Sequence, residues 1–313
     1  SAVSFAGDTV ILDQGDIYVA ADITVNEDKA GRCSLTINAG TGPLPAGELG
    51  NLYHTAGVIS TTGDDSGDIV ITGNDLQLGD ITSSGEIHAE AAGTIALNND
   101  SLIQSLPSNG DDAFVELLAG ESIALDGATV SSVVEYSADA TVDLQAGSSI
   151  SISDSAVQSW VKGNGTAKIH IYPHAGDLTI TDSKVQAKVD GDGLAGIYFQ
   201  NYEDWDTYYS PFGTLDIHYP IAGNINIYGD TDSTVILAEA GSMISPATAV
   251  VMMNTEGDIN LYGGMVAAQE ADGNAGIALV AKNDIYIAPE AVVSASSADG
   301  MAGVAVVAGN AID

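Results

Sequence analysis

The chain has 313 residues and a formal net charge of −36, from 43 acidic and 7 basic side chains. That balance repels phosphates, so nucleic acid is excluded as a partner and anionic membrane surfaces are disfavoured. It suits an extracellular, high-salt or divalent-rich setting, where screening or bound cations hold self-repulsion down.

No segment is long and apolar enough to span a membrane. The chain begins Ser1-Ala2-Val3 without Met, which fits a processed secreted protein or an excised fragment. The first informative phrase is Gly15-Asp16-Ile17-Tyr18-Val19. The single cysteine, Cys33, shares parity with Leu35 and Ile37 and is expected in the core as a small hydrophobe. The phrase then returns about every 26 or 27 residues, a period that signals stacked repeats. Its copies are headed by Gly67, Gly93, Gly120, Gly147, Gly176, Gly223, Gly257, Asn283 and Gly309. Each period holds two more short apolar runs. One is centred on Val130, Val157, Val185, Val266 or Val293, and the other runs like Ala140–Leu144 or Gly276–Val280. Period-2 alternation, Ile and Val enrichment, and Gly, Asp, Asn and Ser in the gaps are strand-and-corner chemistry.

The predicted fold is therefore all-β: a parallel β-helix, or β-solenoid, with about three strands per coil and about eleven coils. One domain is expected over 1–313. In each phrase the Ile residues point inward (Ile69 and Ile71, Ile225 and Ile227), and Val70 and Asn226 point outward. The Gly at the head is expected to supply a positive φ. The Asx after it (Asp68, Asp177, Asn224, Asp258, Asp284, Asn310) is expected to stack in a column that hydrogen-bonds corner backbone. The interval from Gly176 to Gly223 is too long for one coil, and that from Gly223 to Gly257 carries a smaller excess, expected around Asp230 to Ala240.

An aromatic-rich insertion covers 197–222 and includes Tyr202, Trp205, Tyr208 and Tyr209 beside Glu203, Asp204 and Asp206. Rings beside carboxylates suit sugar recognition, so these four aromatics are candidate glycan or partner contacts; packing on the solenoid flank is the alternative. Lys162, Lys168, Lys184 and Lys188 gather four of the seven cations, as scattered solubilising lysines or as a socket for another copy's acidic surface. Asp64, Asp65 and Asp68, Asp190 and Asp192, and Asp230 and Asp232 cluster with Gly in expected corners; Ca2+ is the cation they would suit, with solvated turn acids as the alternative. In the third run of the C-terminal coils, Val251 and Met253 are expected to face out with Val280 and Val307, forming an apolar self-association stripe.

His170 and His174 form no HExxH motif, and there is no GxSxG, phosphate loop or CxxC pair. Seven basic residues against −36 argue against an acidic polysaccharide substrate. No enzyme is expected.

The phrases Gly147–Ser159 with Ala167–Ile171, and Gly257–Ala268 with Ala275–Ala281, resemble the coils of filamentous haemagglutinin-like surface exoproteins. The likeness covers most of the chain from residue 67 onward, without that family's Asn-Pro-Asn-Gly secretion stretch. It implies a secreted β-helical rod used in adhesion. The expected function is a non-enzymatic, self-associating subunit of an extracellular cell-surface assembly, with copies of itself as partners. The alternative is a carbohydrate-binding or carbohydrate-cleaving β-helix that meets cell-surface glycans through the insertion.

Overall fold

The computed structural model describes residues 2–28, 30–31, 33–40, 50–63, 67–108, 110–200, 220–241 and 247–313, and the backbone of 206–210 and 213–217. Asp64, Asp65, Tyr202 and Trp205 lie outside the described residues, and only the backbone is described for Tyr208 and Tyr209.

The described chain winds through three parallel sheets. Sheet A has eleven strands, from Val3–Ala6 and Ile23–Asn26 to Met265–Glu270 and Val292–Ser297. Sheet B has eleven, from Thr9–Asp13 and Leu35–Ala39 to Asn274–Ala281 and Ala302–Ala308. Sheet C has ten, from Ile17–Ala20 and Leu52–Ala56 to Ile259–Leu261 and Ile285–Ile287. Each strand pairs with its equivalent one coil away, giving a β-solenoid with three strands per coil and a body on the order of 50 Å long at ~4.8 Å per step.

In-register stacking puts like on like. In sheet C the inward column runs Ile95, Ile123, Ile150, Leu178, Ile225, Ile259, Ile285, all of them buried. The Val130, Val157, Val185 and Val266 pieces form the inward column of sheet A, and Cys33 is buried. His54 is buried in the core, in rank with Val19. Its Nε2–H donates to the Gly57 carbonyl (3.0 Å) and its Nδ1 accepts the Gly79 N–H (3.2 Å). Burial lowers its pKa and keeps the ring neutral.

The glycines heading the phrase serve close approach, and none of those from Gly67 to Gly309 has a positive φ. A Cβ on Gly147 would sit 2.0 Å from the Gly120 carbonyl oxygen, and one on Gly309 1.9 Å from that of Lys282. Left-handed backbone occurs at the corner from sheet C to sheet A instead, at Asp100, Gly127, Asp154 and Asp182, where Asp and Gly tolerate it.

The Asx column exists. Asp177 Oδ1 accepts the Asn224 N–H (2.7 Å), Asn224 Oδ1 that of Asp258 (2.8 Å), Asp258 Oδ1 that of Asp284 (3.1 Å) and Asp284 Oδ1 that of Ala311 (2.9 Å). Asp68 belongs to a different corner, before sheet B, where it accepts the Glu86 N–H at 2.9 Å. The Gly67 phrase is thus a sheet B strand and the later phrases are sheet C strands. The true sheet C successor of Asp16 is Asn51, 35 residues on, followed by Asp75 after 24 and Thr94 after 19. Coil length is uneven before residue 94 and departs again between Asp177 and Asp258.

The two long coils span 47 and 34 residues at the Asx column. In the first, the chain leaves sheet B after Phe199, a buried core residue, and rejoins at Ile221, which bridges to Thr255. Between them Asp206–Ser210 pairs antiparallel with Gly213–Ile217. Ile197 and Phe199, placed at the start of the insertion on sequence, belong to the sheet. In the second long coil Val235–Ala240 is an ordinary sheet A strand, so the excess lies on either side of it.

The outward stripe needs correction. Val251 and Met253 point inward and are fully buried, in rank with Ile197 and Phe199 and with Ile277 and Leu279. Val250 takes an outward place, and so does Met252, although Met252 is also buried. Val280 and Val307 do face out, one above the other, but the same rank one coil earlier holds Asn254. Thr248–Thr255 carries five consecutive apolar residues, Ala249 to Met253, which erases the alternation from which parity is read.

Ile259 sits in the core, whereas Asn260 faces out and donates to Asn226 Oδ1 (3.0 Å). Ile259→Asp should cost several kcal/mol by placing a charge in the ladder, and Asn260→Asp about 1 kcal/mol or less. Equal shifts in Tm for the two would overturn this register.

Candidate functional site

The central outward rank of each sheet shows where chemistry can be presented. In sheet A it runs from Ser4, Thr24, Ser60 and Thr82 through Gln104, Ser131, Gln158 and Gln186 to Leu237, Ala267 and Ser294, with no charged member. In sheet C it is equally uncharged, from Tyr18 and Tyr53 to Asn226, Asn260 and Tyr286. In sheet B it reads His88, Glu116, Asp143, His170 and Tyr198 in five successive coils.

This rank is a hydrogen-bonded and stacked array. His88 Nε2 lies 2.9 Å from Glu86 Oε2, and its Nδ1 3.1 Å from Glu116 Oε2. The bond to Glu116 is the main cause of a pKa raised to about 9, so the imidazolium persists at neutral pH. One coil on, Asp143 Oδ2 accepts the Gln145 amide at 3.0 Å, whereas its buried Oδ1 has no hydrogen-bond partner. Desolvation, with the Glu116 charge adding to it, raises the Asp143 pKa to about 6. His170 stacks on Tyr198, centroids 5.0 Å apart and planes 17° from parallel. A Cβ on Gly196 would fall 2.4 Å from the Tyr198 ring, so this glycine makes room for it. Phe114 flanks His88 at 5.3 Å, and Tyr172 meets His174 edge-on at 4.5 Å.

Sequence reasoning did not find this rank. Its members sit singly, one per coil, and only the register aligns them. The signal available was a run of strands with His, Glu, Asp and His at equivalent outward places.

The residues singled out from sequence are dispersed. Lys162 and Lys188 converge on Trp160, their ammonium groups 5.1 and 5.2 Å from its centroid. Lys184 lies at the opposite end of the strand that carries Lys188, and Lys168 lies on sheet B. Lys162 pairs with Glu135, Lys188 with Asp190 (3.1 Å) and Glu239 (3.8 Å), and Asp190 also accepts the Trp160 indole N–H at 2.9 Å. Carboxylates thus match these cations, and no net basic socket forms around Trp160. Asp230 accepts the backbone N–H groups of Ser233 (2.7 Å) and Asp232 (2.9 Å), which hold its pKa below the usual carboxylate value. The Asp192 backbone N–H donates to Asn164 Oδ1 (2.8 Å). Among the described residues no group of three or more His, Cys, Asp or Glu side chains is placed to hold a metal ion.

Asp143→Asn tests what the buried carboxyl does to stability. A carboxyl whose pKa rises on folding adds stability while protonated, in full below the unfolded value of 3.8, and that contribution is lost as pH rises through about 6. The amide keeps the neutral form. It should raise stability at pH 7.5 by about 1–3 kcal/mol and change little at pH 4. A lower Tm at pH 7.5 would show that the charged form is favoured. His88 has the same pH sense, since its pKa is also raised, but here the charged form is the favoured one: its stabilisation is complete below 6.5 and is lost as pH rises through about 9. His88→Gln should therefore lower Tm at pH 6 and have little effect above pH 10; an equal loss at both pH values would exclude the ion pairs as the cause.

Comparison with known proteins finds no family, no curated protein and no solved structure that the chain matches.

Proposed function

We propose that this chain is a non-enzymatic structural protein, a self-associating β-solenoid subunit of an extracellular cell-surface assembly such as a fibre, sheath or adhesin shaft. The observation that carries this reading is the stack itself: three parallel sheets of ten or eleven strands in register, whose outer face repeats from coil to coil. On that face Val280 and Val307 stand one above the other and Val307 is 55% exposed, an apolar contact for a second copy laid alongside. The repeat's resemblance to filamentous haemagglutinin-like exoproteins points the same way.

The acidic corners support a part for Ca2+ in this assembly. Asx ladders recur from coil to coil, so copies laid side by side bring columns of negative charge together, and divalent cations would offset the repulsion. The test is sedimentation and electron microscopy of the purified chain with calcium and with chelator. Polymers are expected with calcium, and fewer with chelator. Val280→Lys with Val307→Lys should abolish them while circular dichroism stays that of the folded chain, and unchanged assembly of that variant would overturn the lateral contact. A chain that stays monomeric at high concentration with calcium sinks the reading.

A further inference from the structure

The outward rank of sheet B has a stability cost that the solenoid does not require. Sheets A and C show that a central outward rank can be built wholly from uncharged residues over ten or eleven strands. Sheet B has instead buried a carboxyl, Asp143, with one oxygen unbonded, against a second carboxylate in the adjoining coil. Perturbed groups gathered on one surface mark a site of function more often than a site of support.

The character of the surface narrows what it takes. Glu86 and Glu116 share the His88 imidazolium, and Lys168 lies beside the rank one coil past Asp143. Cations and carboxylates therefore mix along the ledge, two (His88, Lys168) against four (Glu86, Glu90, Glu116, Asp143), with Glu116 and Asp143 in successive coils. The two cations and the Gln145 amide set donors among these acceptors, and the overall charge of −36 repels a polyanion. Such a surface suits a hydroxyl-rich uncharged ligand. Phe114, half-buried in the same array, offers an apolar ring edge, the usual companion of hydroxyl recognition. The ledge is bounded on its C-terminal side by His170 and Tyr172, whose side chains are closed off from solvent. Each coil advances ~4.8 Å, close to the rise of one sugar in an extended β-linked glycan, so a chain along the axis offers about one sugar per coil.

We infer that the outer face of sheet B from Glu86 to Lys168 is a binding site for an uncharged polysaccharide lying along the solenoid axis. Glu116 and Gln145 accept and donate to its hydroxyls, Lys168 donates, and Phe114 covers the apolar face of a sugar. The inference is independent of the assembly reading, since the ledge covers the coils from Glu86 to Lys168 and the assembly contact lies at Val280 and Val307.

Affinity electrophoresis of the full chain through gels containing β-glucan, xylan or galactomannan tests it, with polygalacturonate and polylysine gels as the charged arms. At least one neutral polysaccharide should retard the chain. Phe114→Ala and Lys168→Ala, both outward and each checked for an unchanged circular dichroism melt, should weaken that retardation by tenfold or more. Ser151→Ala, on the sheet C face, should leave it unchanged. Retardation by the charged polymers alone would overturn the proposal, as would none by any neutral polysaccharide, or equal retardation of all three variants. Release of reducing ends would show cleavage at the same face, with the binding assignment standing.

Discussion

Every coil of this protein must lie directly on the coil before it, because the backbone hydrogen bonds of three parallel sheets run between coils and not within them. At ~4.8 Å per step there is no slack. A residue in one coil meets only its equivalents above and below, so each position becomes a column. Ile stacks on Ile inside, Asx on Asx at the corner before sheet C, and glycine on glycine where a Cβ would strike a carbonyl 2.0 Å away. The side-chain oxygen of each Asx accepts the backbone N–H of the next coil, which satisfies a corner donor that no strand reaches.

The same constraint sorts the charge. Like charges stacked at ~4.8 Å repel, so a face of carboxylates would work against its own sheet. Acids are tolerated at corners, where solvent surrounds them and where their oxygens have backbone N–H groups to accept or their backbone adopts the left-handed turn, as at Asp154 and Asp182. The central ranks of sheets A and C are accordingly uncharged. A large net charge and a regular solenoid coexist because the acids are gathered at the edges of the prism.

Much of this was legible in the chain. The repeat, the three-strand coil, the inward Ile and Val residues and the Asx ladder follow from a period and an alternation, which are local signals. What stayed hidden depends on register between distant strands. Gly67-Asp68-Ile69 reads like Gly93-Thr94-Ile95, yet the first lies in sheet B and the second in sheet C, since coils of 24 and 19 residues precede the regular ones. Val250 to Met253 carry no alternation, so the parity of that strand was set by Ala249 aligning with Ala195 and Ala275. The sheet B rank was invisible for the same reason: His88, Glu116, Asp143 and His170 are 28, 27 and 27 residues apart, and nothing local joins them.

That rank also shows where repeat physics gives way to something particular. Columns of like residues are what stacking favours, and the Ile, Asx and Gly columns obey it. His–Glu–Asp–His–Tyr is a column of unlike residues, each suited to its neighbour: a cation between two carboxylates at His88, an aromatic stack at His170 and Tyr198. Heterogeneity of this kind cannot arise from repeating one coil. It requires the outward position to differ from coil to coil while the flanking inward positions stay apolar, from Ile87 and Ala89 to Ile197 and Phe199. Asp143 is the member whose environment opposes its charge, and a solvated outward serine, as at Ser151 on sheet C, would have avoided the desolvation. The core of this solenoid is therefore generic, and its identity is written on the outer surface of one sheet.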